Sequence, residues 1–262
     1  MMELKKVKVL KTILVFSILI CAGLVIYYFK STSDKEKEQK KIEQEETVFM
    51  EYITNTPQSD RVTYAADFFY ESIPYKIQQK MIVDFEDESV KVALEDLKYV
   101  QVLYFDFEQK EHVGQIICNE YIAQDLVEIF YELHKIKYPI AKISLIDEYN
   151  GDDIASMVDN NTSCFNYRTI SGSSELSLHA FGYAIDINPL YNPYVIYNSD
   201  PLYVLPSCAE EYADREAEFE GKITTEDPCY QLFMEHGFTW GGSWTKPTDY
   251  QHFEKVPVVE EQ

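Results

Sequence analysis

The stretch Ser177-Leu-His179-Ala-Phe-Gly-Tyr-Ala-Ile-Asp186-Ile-Asn188 sets a histidine and an aspartate seven residues apart, with a glycine between them. On a continuous strand an odd separation sends two side chains to opposite faces, so the pair could not meet. Gly182 removes that difficulty. Lacking a Cβ, it lets the chain turn sharply, so that His179 lies in a loop while Asp186 projects toward the same point from the apolar run Tyr183-Ala-Ile-Asp-Ile187. A carboxylate inside such a run is costly unless it is paired or bound to a cation. Taken alone, the pair also reads as a hydrogen-bonded structural contact, and the choice depends on residues further along the chain.

Those residues are Gly237-Phe-Thr-Trp-Gly-Gly-Ser-Trp244 and then Asp249-Tyr-Gln-His252-Phe-Glu254. Trp240 and Trp244, the two tryptophans of the chain, flank Gly241-Gly242, where missing side chains let backbone and substrate approach closely. The pair reads as one wall of a cleft, with core anchoring as the alternative. A turn just before a strand would put the Asp249 carboxylate beside whatever the His252 imidazole binds. His179, Asp186 and His252 then supply two nitrogens and one oxygen to one zinc ion with an open fourth position, the pattern of a catalytic rather than a structural zinc. Asp249 is left as the nearby base.

Ser177-x-His179-x6-Asp186 together with Asp249-x-x-His252 resembles the zinc D-alanyl-D-alanine carboxypeptidase family. That family includes vancomycin-resistance dipeptidases and phage L-alanyl-D-glutamate endolysins, and it shares the LAS-type metallopeptidase fold with the lysostaphin and hedgehog group. Asn166-Tyr-Arg168, Asp186-Ile-Asn-Pro-Leu-Tyr-Asn-Pro193 and Trp240-Gly-Gly-x-Trp244 are similar to its endolysin-like branch, and the resemblance runs over residues 99–254. It implies an α+β fold, a small antiparallel sheet with helices packed around it. It further implies zinc on His179, Asp186 and His252, Asp249 as general base, and Arg168 and Ser177 as substrate-binding groups; Arg168 is also expected as a catalytic residue, stabilising negative charge that develops at the carbonyl if it lies near it, or else clamping the peptide end. Aspartate rather than glutamate at position 249 departs from the dipeptidase pattern and matches the endolysin-like branch. For Arg168 the plain alternative is a loop arginine in an ion pair, and for Ser177 a turn residue.

Ahead of this region, residues 12–29 carry no charge and would make a helix of roughly 27 Å. Lys5, Lys6, Lys8 and Lys11 precede the run, so the positive-inside rule keeps residues 1–11 cytoplasmic and sends everything after Lys30 outside. An uncleaved signal anchor is expected, since no small-x-small cleavage site follows, and Cys21 is read as a membrane-helix side chain. Residues 30–60, rich in Lys and Glu, read as a solvated stalk, and residues 61–262 as the exported domain. Within it, Arg61 to Leu97 suggests short helices interrupted by Pro74. Tyr99 to Phe107 and Gln115 to Cys118 suggest a hairpin, Ile122 to Leu133 an amphipathic helix, and Ala141 to Ile146 a strand. The segment from Gly151 to Ser177 suggests a long loop.

The chain has 262 residues and 46% hydrophobic content, enough for one substantial core. With 45 acidic against 23 basic side chains the formal charge is -22, which sets nucleic-acid binding aside. Cys118, Cys164, Cys208 and Cys229 follow the apolar run; they allow three pairings, and Cys208 with Cys229 would close a modest loop. His112, His134 and His236 are assigned no chemistry. The expectation is a monomeric zinc peptidase of the cell membrane, its domain outside, acting on peptidoglycan stem peptides. A D,D-carboxypeptidase is preferred over an L-alanyl-D-glutamate endopeptidase, and an inactive zinc-containing cell-wall binding module is the rival from another class.

Overall fold

The computed structural model describes Lys40 and residues 60–258. The apolar run 12–29 and the charged segment up to residue 59, Lys40 apart, lie outside the described residues. Among the described residues no helix is long and apolar enough to cross a membrane.

Alternating apolar side chains in Leu97-Lys-Tyr-Val-Gln-Val-Leu-Tyr-Phe105 build the spine of a four-stranded antiparallel meander. Its strands, in spatial order, are β1 (Val62–Ala65), β2 (Phe68–Ser72), β3 (Leu97–Phe105) and β4 (Glu111–Asn119). The expected hairpin is therefore present. The helices expected between Arg61 and Leu97 give way at the start to β1 and β2, leaving two short pieces, α1 (Tyr75–Gln78) directly after Pro74 and a 3-10 turn, Leu94–Asp96. The reason is local: Val62-Thr-Tyr64 and Phe68-Phe-Tyr70 are β-branched and aromatic, and β3 offers an edge on which β2 pairs from Phe69↔Gln101 to Ser72↔Lys98.

Asn119 ends β4 and starts α2 (Glu120–Lys135), its side chain accepting from the Tyr121 amide at 3.0 Å. One face of α2, with Ile122, Leu126, Ile129, Phe130 and Leu133, is wholly buried on Val100, Val102 and Ile116 of the sheet. Each such side chain contributes about 1.5–3 kcal/mol of burial. Ile185, Ile187 and Phe253 belong to this same core, which ties the candidate site to the main sheet and helix.

The strand expected from Ala141 to Ile146 is reduced to β5 (Lys142–Ile143), with a 3-10 turn from Ile146 to Tyr149. The long loop expected from Gly151 to Ser177 is structured at its start, with α3 (Asp153–Val158) and β6 (Asn161–Thr162), which runs parallel to β5. Ser156, Asn160, Asn161, Thr162 and Asn166 are buried there, and Asn161 is satisfied internally: its Nδ2 donates to the Ser144 carbonyl and to Ser156 Oγ, and its Oδ1 accepts from the Ser144 amide. An asparagine pairing with backbone in this way substitutes for a strand partner, so polarity here did not mean exposure.

The chain then lays down β7 (Ala184–Asp186), β8 (Tyr194–Ile196), β9 (Tyr203–Leu205) and α4 (Pro228–Glu235), followed by β10 (Thr239–Trp240), β11 (Thr248–Asp249) and β12 (His252–Glu254). These strands form two small antiparallel sheets, in the orders β10-β12-β7 and β11-β8-β9. The result is α+β, with small sheets and few helices. Cys118, Cys164, Cys208 and Cys229 are all free; Cys229 is buried at the start of α4 while Cys208 faces solvent, so the anticipated bridge between them is not formed.

Gly182 is where fold and site are joined. It has φ +71°, its carbonyl accepts from the Asn119 amide at 2.9 Å, and a Cβ there would lie 2.5 Å from that amide nitrogen and 2.9 Å from the Cys118 carbonyl carbon. Backbone on both sides leaves no flexible neighbour to give way. Gly182→Ala is expected to destabilise the domain by about 2–3 kcal/mol in urea unfolding. A loss below about 0.5 kcal/mol would mean that the turn relaxes freely.

Candidate metal centre

β12 pairs with β7 so that His252 stands directly opposite Asp186, Phe253 opposite Ile185, and Glu254 opposite Ala184. Directly opposed residues share a face, so the His252 imidazole and the Asp186 carboxylate meet on one side while Ile185 and Phe253 enter the core on the other. On its far edge β7 is bridged by Ser163, with Asp186 donating its amide to the Ser163 carbonyl at 2.9 Å. His179 arrives from a 3-10 turn, Leu178–Phe181, which Ser177 caps and Gly182 ends.

His179 Nε2 lies 3.2 Å from His252 Nδ1 and 3.4 Å from Asp186 Oδ2, and His252 Nδ1 lies 3.2 Å from Asp186 Oδ1. All three side chains are buried. Their outer contacts fix their protons. His179 Nδ1 is 2.7 Å from the Cys164 carbonyl, which can only accept, so that nitrogen carries the hydrogen and Nε2 offers its lone pair inward. His252 Nε2 is 2.9 Å from Glu254 Oε2, which in the same way leaves Nδ1 to face the cluster. Two lone pairs and a carboxylate thus converge on a common point. Their separations match the edges, about 3.3–3.4 Å, of a tetrahedral set around zinc at nitrogen distances near 2.0–2.1 Å. The donor set therefore fits zinc, with no further protein ligand in the cluster among the described residues.

Without a cation the cluster depends on protons. Burial would raise Asp186, but the positive charges and hydrogen bonds of His179 and His252 hold it far below the carboxylate range. Burial would lower His252, but hydrogen bonds to Asp186 and Glu254 push it up to about 10.

The cluster opens into a cavity of about 600 Å³. Asp249 lines it from β11, paired in register with Tyr194 of β8. Its Oδ1 is buried without a hydrogen-bond partner, and burial, opposed in part by His252, pushes the carboxyl up to about 7. Arg168 lines the cavity with one guanidinium nitrogen 2.9 Å from Asp153 Oδ2 and with its Nε buried and unpartnered. Ser177 also lines it, its hydroxyl engaged as the cap of the His179 turn at 3.3 Å. Trp244 stands at the rim, 37% exposed, its ring 5.2 Å from that of His252.

Trp240 is the exception among the expected site residues. It is buried in the core beside Tyr230 and Phe253, its Nε1 donates to the Tyr250 carbonyl at 2.9 Å, and it does not line the cavity. The expected substrate-binding role for Trp240 is replaced by core anchoring. The space left by the adjacent glycines is likewise used by the protein itself. A Cβ on Gly241 would sit 2.7 Å from the Asp249 carbonyl oxygen, and one on Gly242 would strike the Trp240 ring.

Sequence reasoning missed Glu254, Asp153, the Cys164 carbonyl and the tyrosines of the β8–β9 hairpin. Glu254 was legible in principle, because residues two apart on a strand share a face. The others come close only through the tertiary fold. His112, His134 and His236 pair with Asp106, Glu111 and Asp125, away from the cavity.

In the metal-free chain the folded Asp249 carboxyl keeps its proton to a higher pH than the unfolded chain does. The contribution of Asp249 to stability must therefore fall as pH rises between about 4 and 7 and stay level above, apart from what the other groups of the cluster add. Asp249→Asn cannot titrate and escapes this loss. In chelator, urea unfolding is expected to show the variant no more stable than wild type at pH 4 and more stable at pH 8, by at most about 4 kcal/mol. Parallel pH profiles would show that Asp249 is not strained.

Residues 171–255 match the family model described as D-alanyl-D-alanine carboxypeptidase. His179, Asp186, Asp249 and His252 all fall inside the matched segment, and Arg168 precedes it. No curated protein and no solved structure matches the chain. The family whose resemblance the motifs carry is thus the one this segment matches, a family of peptidases named for D-alanyl-D-alanine.

Proposed function

We propose that this chain is a zinc-dependent peptidase that hydrolyses peptidoglycan stem peptides, removing a terminal D-alanine as a D,D-carboxypeptidase. The observation that carries the reading is that a three-donor cluster, an unpaired buried carboxylate and a guanidinium all line one cavity. His179, Asp186 and His252 hold the zinc. When bound, the ion supplies Lewis-acid polarisation of a carbonyl and acidifies water.

The chain's own groups do the rest. Asp249, unpaired and with its carboxyl moved toward neutrality, takes a proton from the attacking water and returns it to the leaving amine. Arg168, steadied by Asp153, offers its guanidinium to the free carboxylate of the peptide end. Ser177 holds the His179 turn in shape, and Trp244 packs on the substrate at the rim while Trp240 supports the sheet from behind. Residues 12–29 anchor the enzyme in the cell membrane with the domain outside.

The second reading, an L-alanyl-D-glutamate endopeptidase, is favoured by the cavity itself. At about 600 Å³ it has room for more than one residue of peptide.

A pentapeptide stem ending in D-alanyl-D-alanine is expected to lose only its last residue. Chelation should stop the reaction, zinc should restore it, and amidating the terminus should abolish it, with mass spectrometry of the products as the readout. Asp249→Asn should keep its zinc and lose on the order of 100-fold or more in turnover. Release of the stem after L-alanine, indifferent to amidation, would replace the carboxypeptidase by the endopeptidase. Zinc binding with no cleavage of any stem would leave a binding module. For the topology, protease added to intact cells should remove the domain after Lys30, and the mature chain should keep its original N-terminus; a chain starting after Phe29 would indicate a cleaved signal instead.

A further inference from the structure

Glu254 lies two residues beyond His252 on β12, on the same face, and its Oε2 is 2.9 Å from His252 Nε2, the imidazole nitrogen turned away from the cluster. Its side chain is 26% exposed, where that of His252 is 9% exposed, so the carboxylate stands between the ligand and the cavity solvent. We infer that Glu254 is a positioning residue for the metal: its carboxylate holds His252 in the tautomer whose Nδ1 lone pair faces the centre, orients the ring, and raises its basicity as a ligand. The inference rests on the reading that His179, Asp186 and His252 hold zinc.

Three observations favour this role over that of an ordinary surface carboxylate. Among the described residues no lysine or arginine pairs with Glu254, whose carboxylate meets His252. The two ligand histidines are braced in opposite senses, His179 through Nδ1 and His252 through Nε2, so each needs its own acceptor. His179 takes a backbone carbonyl, which no substitution removes, whereas His252 depends on a side chain. A carboxylate also does more than a carbonyl, because its charge strengthens the hydrogen bond and makes the opposite nitrogen a better donor to a cation. Glu254 is thus the one point in the outer contacts of the two histidines where a single substitution changes metal affinity without altering a ligand.

The test uses the purified full chain and measures zinc affinity by competition with a chromophoric chelator, alongside thermal unfolding of the metal-free protein. Glu254→Ala is expected to weaken zinc binding by about 10–100-fold, with the metal-free melting temperature within about 2 °C of wild type. It should also alter the visible spectrum of the cobalt-substituted protein, which reports ligand geometry. Glu254→Gln keeps an acceptor of the same shape without the charge and is expected to weaken zinc by a smaller factor. It serves as the test variant if the alanine substitution unfolds. Zinc affinity within twofold of wild type in the folded variant would overturn the inference, and so would a normal cobalt spectrum. If turnover falls while zinc affinity holds, Glu254 is a proton-transfer group instead, which also overturns it. Failure of the wild-type chain to bind zinc at all would overturn the metal reading itself, a separate outcome.

Discussion

Two imidazole nitrogens 3.2 Å apart, each with its partner nitrogen already committed to an acceptor, and a carboxylate within 3.4 Å of both, make a cluster that needs a positive charge at its centre. Neutral rings held in these tautomers would point lone pairs at one another and at an anion, in surroundings too buried for water to screen them. A proton can relieve this, and the hydrogen bonds of Asp186 and Glu254 push His252 up to about 10. A divalent cation relieves it better, because it satisfies all three donors at once and leaves both outer hydrogen bonds intact. The backbone around the cluster is arranged to keep these donors together against their mutual repulsion.

The arrangement relies on strand register. Alternation along β12 sends His252 and Glu254 to one face and Phe253 to the other, where it stacks on Phe233 at 4.3 Å in the core shared with α2. A slip of one residue would bury the histidine in that core and expose the phenylalanine, so hydrophobic burial enforces the position of a polar side chain in the cluster. His179 is held differently, by a turn whose ends are fixed at Ser177 and Gly182, and Gly182 is in turn bonded to Asn119 at the head of α2. The core helix and the turn that carries His179 are therefore joined at one backbone hydrogen bond.

What the sequence made legible follows the same division. His179 and Asp186 stood out through local chemistry, a carboxylate in an apolar run and a glycine placed to turn the chain, and it took Asp249-x-x-His252, from a separate segment, to complete the set. The β3–β4 hairpin and α2 were readable because their periodicity is long and clean. The failures came where tertiary partners overrode local signals. β1 and β2 look helical until β3 supplies an edge, and the polar segment around Asn161 looks like surface until its side chains are seen replacing backbone partners. Trp240 and Trp244 are four residues apart and chemically identical, yet one anchors the core and the other faces the cavity. The difference is set by Gly242, whose missing Cβ makes room for the Trp240 ring, and no spacing rule encodes that.

The charge of the cavity explains why its carboxylates can differ in behaviour. Asp153, Asp186, Asp249 and Glu254 all line it, against one arginine. Four carboxylates sharing a confined volume with one fixed cation cannot all stay ionised unless each has a partner. Asp153 has Arg168, Asp186 has both histidines, and Glu254 has the outer nitrogen of His252. Asp249 alone keeps a buried oxygen without a hydrogen bond, and the nearby negative charge of Asp186 adds to the cost of burying it. Burial above all, with the charge of Asp186 added, pushes the Asp249 carboxyl up to about 7. Of the four, Asp249 is the carboxylate that stands outside the three-donor cluster, keeps one oxygen without a partner and is moved toward neutrality, the properties that a proton-transfer group requires.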